Sequence, residues 1–258
     1  MINLVRVITI ATNVFWEVIR DRVLYLIGLF AIVMLASVRF IPELAASTEQ
    51  KIILDIGIAA IGFLGLIITI FIGPGLVNKE IEKRTVYVLV AKPISRSELI
   101  LGKHIGLSAV LAVLLASMTV IYMLILSFNK IPYPPVSLAI ASFFIWIQLS
   151  LLTAVGILFG VFTSSILATI LTLAIYLMGL ASRDLVTLGK LTKNPVIEQL
   201  MMNLYLVLPD LQRLNLINEA VYGQIPPFAT LMTNGSYALI YIILLLSLST
   251  LIFSRREF

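Results

Sequence analysis

Six stretches of nearly continuous apolar residues divide this chain, over 23–40, 52–77, 101–128, 137–162, 165–180 and 231–253. Runs of about 20 residues, at about 1.5 Å of rise each, match a bilayer hydrocarbon core of roughly 30 Å. The pattern therefore predicts an all-α membrane protein with six transmembrane helices. Residues 1–22 are patterned differently. Arg6, Thr9, Asn13, Glu17 and Arg20 recur every three or four positions, and Leu4, Val7, Val14, Phe15, Trp16 and Val18 fall mostly elsewhere. That spacing predicts an amphipathic interfacial helix along the membrane surface rather than a cleavable leader. Trp16 suits the headgroup level. The first turns of a long first span are the plain alternative.

Breaks between the runs are marked by proline and glycine. Ile41-Pro42 is expected to end the first span, because proline removes a donor and disfavours helix before it. Ile72-Gly73-Pro74-Gly75 predicts a kink or unwound turn at the end of the second. Pro132, Pro134 and Pro135 make 129–136 a loop, and only Thr163 and Ser164 separate the fourth and fifth spans, which predicts a tight hairpin. Residues 183–230 hold Pro195, Pro209, Pro226 and Pro227, so they form a broken set of short helices. Within them, 196–207 is apolar enough to lie on the membrane surface.

The other polar region, 78–104, sits between the second and third spans. It carries Lys79, Lys83, Arg84, Lys92, Arg96 and Lys103 against Glu80, Glu82 and Glu98, around an apolar patch at 86–91 that Pro93 stops. A bundle embedded wholly in lipid has no use for such a segment. One that grips a soluble partner does: Val86, Tyr87, Leu89 and Val90 would enter a groove, with Glu80, Glu82, Arg84 and Arg96 as its charged rim. A solvated loop with incidental charges is the alternative.

Composition sharpens this picture. Apolar residues make up 60% and charged residues 12%, against roughly 45–50% and about 25% in soluble domains. The net charge of +5 is read through topology and implies no nucleic-acid partner. With the N-terminus inside, Arg6, Arg20, Arg22, the positive residues of 78–104, Arg255 and Arg256 lie on one side. Arg39, Lys51, Lys130, Arg183, Lys190, Lys193 and Arg213 lie on the other, four of them in the one long loop. The positive-inside rule then makes both termini and 78–104 cytoplasmic and places 183–230 outside.

Candidate chemistry is sparse. There is no phosphate-binding glycine loop ending in Lys-Ser/Thr; Gly102-Lys103 lacks the upstream glycine and the hydroxyl. One histidine, His104, and no cysteine leave no zinc site, and at a membrane edge beside Lys103 the histidine reads as interfacial. Met201-Met202 reads as a membrane contact. No catalytic set can be assembled, so the chain is read as not itself an enzyme. Asp55 lies near an outer helix end. Gln148, mid-span, is a substrate-path candidate or a helix–helix hydrogen bond. Gly156 and Gly160 have small-residue packing spacing. Spans with almost no buried charge argue against an ion-coupled carrier or channel, so the driving energy must come from elsewhere.

Glu80-Ile81-Glu82-x-x-Thr85, then Ala91-Lys92-Pro93-Ile94-Ser95-Arg96 and Leu101-Gly102-Lys103, resembles the signature of ABC-2-type permeases, the membrane subunits of one class of ATP-binding-cassette exporters. The N-terminal helix, six spans, long outer region and Arg255-Arg256-Glu257-Phe258 ending are similar to that family too. The branch resembled is that of the nitrous-oxide-reductase maturation and gliding-motility permeases. The resemblance implies a single transmembrane domain over 1–258 and pairing with a second copy or a paralogous permease. It implies docking of a separate cytoplasmic ABC ATPase that holds the ATP and Mg, with no cofactor on this chain. Residues 78–100 would be the coupling helix, with Glu80, Glu82, Arg84, Thr85, Tyr87, Leu89, Pro93, Arg96 and Lys103 as its ATPase-coupling residues. The substrate path would lie between copies, lined by spans one, two and five, in the inner (plasma) membrane. Export is the expected function. Transmission of ATP-driven force to an extracytoplasmic accessory protein through 183–230 is the alternative.

Overall fold

The computed structural model describes residues 3–44, 49–82, 95–192 and 194–255, and every regular element among them is helical. α1 (Leu4–Val18) starts at Asn3, whose side chain accepts from the Val5 amide. A wider π-turn, Ile19–Val23, leads into α2 (Tyr25–Leu44). α3 (Glu49–Ile72) ends at an elbow of Gly73 and Pro74, and the short α4 (Gly75–Glu82) follows. α5 (Arg96–Phe128), α6 (Pro135–Phe162) and α7 (Ser165–Leu180) come next. α8 (Ser182–Leu191), α9 (Pro195–Val207), a 3-10 turn at Leu211–Leu214 and α10 (Ile217–Val221) precede the closing α11 (Phe228–Arg255).

α2, α3, α5, α6 and α11 are each long and apolar enough to cross a membrane, and α7 with α8, bent 70° from each other, makes a sixth candidate. α7 alone has 16 residues, about 24 Å of helix, which is short for a roughly 30 Å core. One boundary differs from the sequence expectation. α2 continues through Pro42 to Leu44. Proline there removes one hydrogen bond in the final turn only, a loss that a helix end tolerates better than its middle.

α3, α5 and α6 form the centre. Tyr122 of α5 is fully buried and its ring takes the space beside Gly57, where an added Cβ would come within 2.2 Å of it. Its hydroxyl donates to the Leu54 carbonyl at 2.9 Å. Gly65 likewise admits Leu149 and Leu115. The outer helices are less enclosed: 11% of the α2 span is buried, against 78% of the α6 span. Leu29, Ile32, Leu35 and Phe40 on α2, and Ile166, Ile170 and Leu177 on α7, are exposed. In a membrane such faces meet lipid or another helix.

Away from the termini, the segment around Asp210 ties several elements together. Ser182 and Arg213 both donate to its buried carboxylate, at 3.2 and 2.8 Å, and its amide donates to the Tyr237 hydroxyl at 2.9 Å. Asp210, with Tyr205, holds the Arg213 guanidinium even more firmly protonated than usual.

The elbow rests on glycines of α6: a Cβ on Gly160 would lie 2.4 Å from the Pro74 carbonyl oxygen, and one on Gly156 would lie 3.1 Å from its ring. Backbone cannot yield as a side chain does. Gly160→Val is therefore expected to cost about 1–3 kcal/mol or more. Gly28→Ala, with open space at its Cβ, is expected to be neutral or stabilising by up to about 1 kcal/mol. Thermal unfolding in detergent, followed by size-exclusion of the surviving fraction, compares the two.

Candidate functional site

The charged region singled out in the sequence begins in α4 and ends in α5. Its middle, with Arg84, Thr85, Tyr87, Leu89, Pro93 and the apolar patch, lies outside the described residues. α4 carries the backbone of Glu80 and Glu82. The structure does define how both ends of this region are held.

The incoming end is fixed by α6. Beyond the Pro74 contact, Asn78 is 2% exposed and its side-chain amide donates to the carbonyls of Gly160 and Thr163. Those carbonyls end α6 and have no helical partner of their own, so the amide satisfies what the helix terminus leaves open. Asn78 Oδ1 is buried without a partner among the described residues. Lys103 reaches across from α5 and donates to the Leu76 carbonyl. It is buried, at 5% exposure.

The outgoing end is fixed by a capping box. Ser95 Oγ accepts from the Glu98 amide, and the Glu98 carboxylate accepts from the Ser95 amide at 2.9 Å, which closes the first turn of α5. The same carboxylate accepts from the Asn3 amide at 2.7 Å and lies 3.9 Å from the Arg6 guanidinium. A single buried acid thus joins the start of the chain to the start of α5. Arg96 donates to the Phe253 carbonyl and stands over the Phe253 ring at 5.6 Å, which ties α11 to the same place. Both termini of the described chain therefore sit at the elbow end of the bundle.

α1 packs along this end of α5. Val7, Ala11, Val14 and Val18 are its buried stripe, and the polar positions Thr9, Asn13 and Glu17 are exposed. The stripe closes on Gly102 and Gly106: an added Cβ would meet Ile10 at 2.7 Å and the Ala11 carbonyl at 2.7 Å. The glycines at 102 and 106 have the same four-residue spacing as 156 and 160, a signal present in the sequence. The roles of Asn78 and of Glu98 toward Asn3 had no local signal, because their partners are 82 to 95 residues away.

Two further residues are placed differently from their surroundings in sequence. His104 is not at a surface; it is 6% exposed, and Nε2 faces the Ser150 carbonyl at 3.0 Å. Gln148 is also buried, and its amide reaches the Leu211 carbonyl at 3.5 Å. Among the described residues there is no cluster of three His, Cys, Asp or Glu side chains able to hold a metal.

Apolar helices in this number, around a buried frame that carries a charged segment, define a multi-pass membrane protein. The family model for the ABC-2 family transporter protein matches residues 8–258, and the chain belongs to that family of ABC transporter permeases. No curated protein matches the sequence.

Glu98→Ala removes the cap and the tie to Asn3 together. Hydrogen exchange is expected to accelerate at the amides of Asn3 and Ser95, with α6 amides near Leu151 unchanged. Equal protection at Asn3 and Ser95 in both proteins would show that the carboxylate does not hold this end.

Proposed function

We propose that this chain is the membrane subunit of an ATP-binding-cassette exporter, in which residues 78–100 couple the membrane helices to a separate cytoplasmic ATPase. Family membership supports the permease role. The observation that carries the coupling role is the frame around the charged segment. Its incoming end is fastened to α6 by Pro74, Asn78 and Lys103, and its outgoing end to α1 and α11 by Glu98 and Arg96. A push on residues between these anchors reaches α1, α3, α5, α6 and α11 at once. Rigid transmission of that kind is what a two-state packing switch needs.

In this reading Glu80, Glu82, Arg84, Thr85, Tyr87, Leu89 and Pro93 contact the ATPase, which binds ATP and Mg. Arg96 and Lys103 hold the segment in register. The termini and the elbow end are cytoplasmic, in the inner (plasma) membrane. α1 lies at the membrane surface, with Leu4, Val5, Ile8 and Trp16 toward lipid and Thr9, Asn13 and Glu17 toward water. Two copies, or this chain and a paralogue, pair through the open faces of α2 and α7, which enclose the path. Gln148 contributes to the path at its outer half when the Leu211 segment moves away. A second reading is favoured by α9, none of whose residues is buried. There, ATP-driven motion passes to an extracytoplasmic partner on α8 and α9 instead of moving a solute.

Charge reversal tests the docking. Glu82→Lys or Arg84→Glu is expected to weaken ATPase co-purification about tenfold, the effect of about 1.4 kcal/mol, with membrane insertion intact. Normal co-purification with both variants would sink the coupling assignment. Stimulation of ATP turnover by an outer protein alone selects the second reading.

Pairing is tested on a chain that has no cysteine. Leu35→Cys on α2 is expected to give a disulfide-linked dimer in membranes under oxidation. Ile243→Cys on α11 is expected to stay monomeric. Crosslinking only at position 243 would place the interface on the other flank.

A further inference from the structure

Between α5, α6 and α11 lies a cavity of about 650 Å³, within the roughly 300–1,000 Å³ of small-molecule sites. Ile105, Phe143, Ile147, Leu239 and Ile242 make most of its wall apolar. On α11 it extends from Met232 to Ile242, about 15 Å along the axis. All three helices are membrane-spanning candidates, so the cavity lies within the membrane-spanning part of the bundle. The neighbouring α11 surface, Ile240, Ile243 and Leu244, is apolar and exposed. This flank is separate from the α2 and α7 faces assigned above to pairing.

One end of the cavity is polar. His104 lines it, and Nε2, facing a carbonyl oxygen, must carry the proton. In the neutral ring Nδ1 is then an acceptor, and no donor among the described residues reaches it. Ser108 and Ser150, joined hydroxyl to hydroxyl at 3.0 Å, sit beside it, and Trp146 is held by its indole N–H on the Ser108 carbonyl at 2.9 Å. Gly235 leaves its part of the wall open, with nothing within 4 Å of an added Cβ. An apolar cleft of this volume with one acceptor at its polar end suits a single flexible chain.

We propose that this cavity binds one long-chain lipid tail entering from the bilayer, whose polar end carries a hydroxyl that donates to His104 Nδ1. The site is independent of the ATPase and of the pairing surface, so it can fail or stand without them.

The protein supplies its own reporter. It has two tryptophans, Trp16 and Trp146, so in the full-length Trp16→Phe protein only Trp146 fluoresces. In unbrominated detergent, octadecanol brominated at mid-chain is expected to quench it saturably, and unbrominated octadecanol to reverse the quenching. The brominated methyl ether, which cannot donate, is expected to bind about fivefold more weakly, the loss of one hydrogen bond. Gly235→Phe fills the cavity and is expected to abolish saturable quenching. Equal binding of alcohol and ether in the Trp16→Phe protein would overturn the role of His104. Quenching that rises linearly with bromine content and ignores the competitor would show contact with bulk amphiphile only, and would overturn the site. No quenching at any concentration, as when a second copy covers the cleft, would overturn it equally. The competitor and ether measurements need no cavity variant, so misfolding of Gly235→Phe leaves the test decisive.

Discussion

Close contact between the Pro74 backbone and the glycine face of α6 is the constraint on which this molecule turns. Without a side chain at Gly160, the elbow after α3 can lie directly against the helix. Only then does Asn78 come within reach of the open carbonyls at the end of α6. Lys103 can meet Leu76 only with the elbow in that position. A helix end buried in protein must have its carbonyls satisfied, and here an amide from the start of α4 does so. One steric allowance therefore fixes the exit of the second span, the end of the fourth and the third by way of Lys103.

A second tie, around Glu98, closes the same end from the other side. Its carboxylate serves the cap of α5 and the amide of Asn3 together. α1 is then held by packing on Gly102 and Gly106 and by that acid. The charged stretch of the sequence runs between these two fastenings. Both described ends of that stretch are held by residues from distant parts of the chain.

The opposite flank and the opposite end use different chemistry. Between α5, α6 and α11 small residues leave space instead of closing it, and His104 lies at the polar end of that space. At the end away from the termini, Asp210 gathers Ser182, Arg213 and the Tyr237 hydroxyl into one knot. The open faces of α2 and α7 have neither device; their apolar side chains face outward, as the surface of a larger assembly would.

The sequence by itself determined the class. Long apolar runs and scarce charge mark a helical multi-pass membrane protein, because bilayer thickness and backbone hydrogen bonding leave spanning segments little choice, while the family showed only as a resemblance in the Glu80–Lys103 stretch. The breaks at Gly73-Pro74 and at Thr163-Ser164 were legible for the same local reasons. Local pattern does not carry partners. Nothing near Glu98 names Asn3, nothing near Asn78 names Gly160, and a lone His104 beside Lys103 reads as interfacial until the fold buries both. Proline position misled at Pro42, because the cost of a missing donor depends on how much helix follows it. Which glycines press against which backbone, and which leave a cavity, was decided only by tertiary packing, since it depends on residues that meet from distant parts of the chain.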